Sequence, residues 1–365
     1  MKTSKITTIL LCIMAIILMS SCTNNNGKKE NMPPKYIFLF IGDGMSYNNV
    51  ALTESYLSYK SGKLGGEQLL FTTFPEFGSA TSHSANHRVT DSSASGTAIS
   101  TGSKTNNAML GVDPEGNKLR SMSYDLHDMG YNVGIISSVP VNHATPSSFY
   151  ANSDSRYAYY SITEQLPGSG FEYFAAAGMI NYYGDDDENP KDGADIMLEK
   201  QGVNVCFSVE EAKEAIKNGD MMLVCQPYNK NREAANYDAG GATPSDHISL
   251  SKMVELGLER LTDEKPFFIM CEGGEIDWAA HSQKTFPTVL SIMEFDNAIS
   301  VAYEFYKAHP EETLIVVTAD HGTGGSSFTE DPEWDSLEKI WAESGYKNEL
   351  NYAENKELNE KHNID

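Results

Sequence analysis

The chain has 365 residues, 40% hydrophobic and 21% charged, which is enough for one large domain or two modest ones and argues against a disordered chain. Its formal net charge of −24 leaves no basic footprint and so argues against nucleic acid as a binding partner. Such a protein repels phosphate at long range, so a phosphate site would need its own local positive charge, from metal ions or a buried arginine.

Residues 1–22 read as an export signal. Lys2 and Lys5 precede an apolar stretch, Ile9 to Met19, too short to span a membrane, and Ser20-Ser21-Cys22 follows. Small residues before a cysteine and a polar Thr23-Asn24-Asn25-Asn26 after it resemble a bacterial lipobox, with Met19 where leucine is usual and Leu18 beside it. The expectation is an exported periplasmic or cell-envelope lipoprotein whose one membrane attachment is a lipid anchor at Cys22, with 23–34 as a tether. Three cysteines remain beyond the signal: Cys206, Cys225 and Cys271. A Cys206–Cys225 bridge and three buried thiols are both open.

From Tyr36 onward, short apolar runs read as buried strands: Tyr36–Ile41, Val133–Ser137, Met221–Cys225, Phe267–Cys271 and Leu314–Thr318. Helical patterns lie between them. Leu250, Val254, Leu258 and Leu261 mark one apolar face; Val289, Ile292, Met293, Ile299, Tyr303 and Tyr306 mark another. The alternation predicts an α/β fold, a three-layer sandwich with a mostly parallel central sheet flanked by helices. The acidic stretch from Gly184 to Gly193 reads as a solvated loop. Residues 35–330 form the expected folded domain and 331–365 a polar tail.

Polar clusters follow the strands. Gly42-Asp43-Gly44 follows the first, Glu272-Gly-Gly-Glu-Ile-Asp277 the fourth and Asp320-His321-Gly322 the fifth. Ligands of open α/β sheets bind beyond the carboxyl ends of strands, so three acidic clusters converge on one place. An aspartate between glycines suits a metal ligand as well as a turn or cap. Asp277 and His281, four residues apart on a helix, share one face and can bind one ion. Carboxylates with imidazoles favour zinc. Asp91-Ser92-Ser93-Ala94 leads into a helix expected over Ala94–Ser100. A serine there sits among free backbone N–H groups that suit a phosphate, though taken alone the motif reads first as a simple cap.

Together these segments resemble the alkaline phosphatase family. Asp91-Ser-Ser-Ala-Ser-Gly-Thr97 is similar to its nucleophile signature, and Phe40-Ile-Gly-Asp-Gly-Met45 to its first metal motif. His143-Ala-Thr-Pro146 with Arg156 resembles its magnesium and phosphate-arginine segment. Glu272, Asp277 and His281 resemble its second metal cluster, and Thr318-Ala-Asp-His321 its third. The likeness runs in order from about Tyr36 to Gly325.

The resemblance implies hydrolysis of phosphate monoesters through a phosphoserine at Ser92, with two Zn²⁺ and one Mg²⁺. Asp43, Asp320 and His321 would hold one zinc, Asp277 and His281 the other, about 4 Å apart. Asp43, Thr145 and Glu272 would hold the magnesium. Arg156 would grip two phosphate oxygens, oriented by Asp91. His143 stands where some members have aspartate, which leaves the identity of the third metal open. Trp278 stands where others have histidine or lysine, and it reads as a wall of the site. The family's second zinc also has a late histidine. Here only His362 follows His321, so either His362 substitutes or the chain lacks a C-terminal part. Other readings are a phosphodiesterase or sulfatase-like relative, or a non-catalytic metal- or phosphate-binding lipoprotein. The resemblance leaves a homodimer open.

Overall fold

The computed structural model describes residues 34–184, 189–227, 247–263, 265–327 and 332–343. The signal with Cys22, nearly all of the tether, His362 and residues 185–188 of the acidic loop lie outside them.

The described residues form one parallel sheet of seven strands: β1 (Tyr36–Gly42), β2 (Asn132–Ser137), β3 (Tyr173–Ala176), β4 (Asn204–Cys206), β5 (Met222–Cys225), β6 (Phe267–Gly273) and β7 (Thr313–Ala319). Their order is β4-β5-β3-β2-β6-β1-β7, and every pairing is parallel. Alternate residues of β1 serve opposite faces. Phe38 and Phe40 enter one core with Ile269, Phe295 and Ile299; Leu39 and Ile41 enter the other with Val133, Ile135, Phe268 and Met270. Each fully buried Phe or Ile contributes about 1.5–3 kcal/mol of burial. Helices Leu250–Leu261 and Thr285–Ala308 cover the first face. Met122–Asp128, Tyr159–Thr163 and Ala194–Lys200 cover the second. This is the expected three-layer α/β arrangement. Among the described residues no helix is long and apolar enough to cross a membrane.

Two details go beyond the sequence. Cys206 lies in the first core and Cys225 in the second, so they point to opposite faces of the sheet; both, like Cys271, are free buried thiols. Beyond residue 330, where a polar tail is expected, helix Trp334–Glu343 docks on the body. Trp334 is buried edge-on to Tyr56, with ring centroids 5.1 Å apart, and the Tyr56 hydroxyl donates to Glu338 at 2.7 Å.

The register positions the site. Gly42 pairs with both Gly273 and Ala319, and Ser137 pairs with Glu272. Asp43 and Asp320 therefore leave adjacent strands at the same height, two residues beyond the level of Glu272 on the strand between β1 and β2.

Candidate metal centre and nucleophile

Asp43 is the hub. It follows β1 and is fully buried. Its Oδ1 lies 3.4 Å from Ser92 Oγ and 3.3 Å from His321 Nε2, and the Thr145 hydroxyl approaches Oδ2 at 3.4 Å. The next residue must be small and left-handed: Gly44 has φ +67°, and a Cβ there would stand 2.6 Å from Asp277 Oδ1. The Gly44 amide donates to Asp320 Oδ1 at 3.0 Å, joining the loop after β1 to the loop after β7.

Asp320 is held on both oxygens. Oδ1 also accepts from the His321 amide at 2.8 Å, and Oδ2 accepts from the Ser95 hydroxyl at 3.0 Å. Oδ2 stands 3.3 Å from His321 Nε2. Ser95 was not singled out from the sequence. Its signal was its place one turn after Ser92, on the same helix face.

Ser92 opens helix Ser92–Thr101. Its Oγ lies 3.2 Å from His321 Nε2, so the hydroxyl touches two residues of the cluster from the N-terminus of a helix, an anion-favouring position. Asp91 is the N-cap and accepts from the Ala94 amide at 3.0 Å. Its Oδ2 also accepts from the Ser93 hydroxyl, the Ala108 amide and Arg156 Nη1 at 2.8, 2.9 and 3.2 Å. Burial works to raise its pKa, but these donors and the Arg156 charge outweigh it and hold Asp91 below the usual carboxylate range. Arg156 is thereby fixed beside Asp91. Its Nη2 lies 3.1 Å from His143 Nε2, and its buried Nε has no protein partner.

His143 and Glu272 build the deepest part. Glu272 accepts from the Ser137 hydroxyl on Oε2, while its buried Oε1 has no hydrogen-bond partner; His143 Nδ1 is likewise unpartnered. Burial, with Arg156 alongside, pushes the His143 pKa down to about 3, so this ring is neutral. Trp278 meets it edge-on, centroids 5.7 Å apart, as a wall. Asp277 and His281 lie on helix Glu275–His281, with Oδ2 and Nε2 3.4 Å apart; the His281 side chain is 70% exposed.

The predicted residues thus come together in two groups with ligand atoms within 4.8 Å of one another: Asp43, Asp320 and His321, and Asp43, His143 and Glu272. Asp277 and His281 stand beside them as a pair. These residues fit cations. Burial above all, then the charges of Asp320, Asp277 and Glu272, drives the Asp43 pKa well up. Burial pushes Glu272 up to about 7. Arg156, the cation at hand, is engaged with Asp91. A buried cluster of carboxylates with orphaned ligand atoms is stable when positive ions occupy it.

One consequence concerns stability. Both carboxyls have folded pKa values above their unfolded ones, so in cation-free protein the folded state binds more protons across that interval. Stability is therefore full at low pH and is lost as pH rises through it. For Glu272 the interval runs from 4.5 to about 7, on the order of 3 kcal/mol. Melting in chelator at about pH 5 and about pH 8 checks this, with the lower Tm expected at the higher pH.

Comparison with known proteins matches the same segments. The family model "Alkaline phosphatase" fits residues 34–182 and 224–364. The chain belongs to the alkaline phosphatase family. It is 30% identical over 311 residues to alkaline phosphatase 4 of Bacillus subtilis, covering 82% of this chain and 63% of that one. It is 27% identical over 339 residues to the tissue-nonspecific alkaline phosphatase of Homo sapiens, covering 79% and 63%. The chain thus spans under two thirds of the length of these curated relatives. The solved alkaline phosphatase of the Antarctic bacterium TAB5 superposes with a TM-score of 0.69 at 27% identity, over 80% of this chain and 81% of that one.

Proposed function

We propose that this alkaline phosphatase family member hydrolyses phosphate monoesters, with Ser92 as nucleophile. The observation that carries the reading is the contact of Ser92 Oγ, at a helix N-terminus, with His321 Nε2 and Asp43 Oδ1 at 3.2 and 3.4 Å. Asp43, Asp320 and His321 would hold one Zn²⁺, Asp277 and His281 a second, and Asp43, Thr145 and Glu272, with His143 adjacent, an Mg²⁺. A variant of the TAB5 enzyme with a histidine replaced by glutamate has Mg bound in its M3 site, which supports magnesium chemistry in this fold. Bound there, the cations supply Lewis-acid stabilisation of negative charge on the serine and leaving-group oxygens.

The chain's own groups do the rest. Arg156 offers its fork to two non-bridging oxygens, and Asp91 orients that fork through Nη1. The first amides of the Ser92 helix face the same oxygens. Ser92 Oγ attacks phosphorus in line, a P–O(Ser) bond forms, and the bond to the leaving alcohol breaks. Water then attacks the phosphoserine from the opposite side, phosphate departs and the hydroxyl is restored. His143, neutral and buried, adds no competing charge, and Trp278 bounds the pocket behind it.

The test is hydrolysis of p-nitrophenyl phosphate, bis-p-nitrophenyl phosphate and p-nitrophenyl sulfate, before and after chelation and on re-adding zinc and magnesium. Chelator-sensitive turnover with the monoester preferred is expected. Preference for the diester or sulfate, or turnover indifferent to chelator, would overturn the reading.

A further inference from the structure

Thr323 stands where the halves of the site meet. Its amide donates to the Gly44 carbonyl at 2.9 Å, tying it to the loop after β1. Its Oγ1 lies 2.6 Å from Asp277 Oδ1 and 3.2 Å from His321 Nδ1. A Cβ on Gly44 would come within 2.8 Å of that hydroxyl, so the loop closes around this contact.

Counting protons assigns the roles. A hydroxyl has one proton and two lone pairs, and a carboxylate only accepts. The Thr323 proton therefore goes to Asp277 Oδ1, and its oxygen accepts from His321 Nδ1–H. With Nδ1 committed to that bond, Nε2 is the ring nitrogen left to face a cation. That nitrogen faces Ser92 Oγ at 3.2 Å and a carboxylate oxygen of both Asp43 and Asp320 at 3.3 Å. On the other side, the bond to Oδ1 leaves Asp277 Oδ2 facing His281 Nε2 at 3.4 Å.

We propose that Thr323 is a positioning residue that couples the two zinc positions: one hydroxyl sets the His321 tautomer for the first and turns the Asp277 carboxylate toward the second. The inference rests on the phosphatase reading and deepens it. Partners that orient metal ligands in this way change affinity by about 10–100-fold when removed.

Thr323→Val keeps shape and deletes the hydroxyl, and Thr323→Ser keeps the hydroxyl. Full-length proteins, stripped of metal, are titrated with zinc against a chromophoric chelator. Long-range ¹H–¹⁵N spectra of the histidine rings in the metal-free proteins read the tautomers. Thr323→Val is expected to weaken zinc binding by about 10–100-fold and to release one ring from the Nδ1–H form, with Thr323→Ser restoring both. Equal zinc affinity in wild type and Thr323→Val would overturn the proposal, as would a serine variant as weak as the valine one. Failure of the phosphatase reading looks different: the wild-type protein binds no zinc, or binds it without turnover. Loss of zinc binding in the wild type removes both ideas together.

Discussion

Ser92→Ala is expected to lower kcat for p-nitrophenyl phosphate by on the order of 10⁴-fold or more, because removing a covalent nucleophile removes the whole two-step route. The substitution deletes one oxygen from a nearly buried position and leaves the Asp91 cap, the Ala94 amide contact and the Ser95–Asp320 bond in place. Phosphate affinity should survive, since Arg156 and the helix N-terminus remain. Steady-state kinetics with product-inhibition constants for inorganic phosphate check both. Turnover within tenfold of wild type would place the nucleophile elsewhere; a wild-type protein that binds phosphate as tightly as the variant, with no turnover in either, would indicate a binding protein.

Asp43→Asn is expected to act in opposite directions on activity and stability. Asp43 belongs to both ligand groups, so making it neutral weakens both, and turnover should fall by on the order of 10³-fold with zinc and magnesium content reduced together. In cation-free protein the same change should raise stability at neutral pH by roughly 1–3 kcal/mol, because a fully buried carboxyl is replaced by a neutral isostere and its repulsion with Asp320, Asp277 and Glu272 disappears. Metal analysis and melting in chelator decide it. A lower Tm for the metal-free variant would contradict the electrostatic account. A cluster that strains the empty protein and relaxes when charged ions enter is a site built for binding rather than for folding.

β1, β2 and β6 were readable because they are buried on both faces and run as unbroken apolar segments, as in Phe38-Leu-Phe-Ile41; β7, expected to be buried, is an edge strand that leaves Leu314 and Val316 exposed. Two strands escaped. β3 and β4 have only four and three residues, Tyr173–Ala176 and Asn204–Cys206, too short for a pattern to separate them from their neighbours. The helix after Asp91 began earlier than expected, at Ser92, because Asp91 caps it through the Ala94 amide. Helix Trp334–Glu343 read as polar tail because the buried Trp334 meets Tyr56 only in the folded chain.

By itself the sequence determined that this is an α/β protein with acidic clusters at strand ends and a serine at a helix N-terminus, all in one order along the chain. Those features are local: each depends on a few neighbouring residues and their periodicity. Tertiary structure alone decided that Ser95 holds Asp320, that Cys206 and Cys225 face opposite sides of the sheet, and that Thr323 joins Asp277 to His321. Such contacts depend on pairing register and loop closure between segments far apart in the chain, and a shift of one residue in the register turns every side chain to the other face.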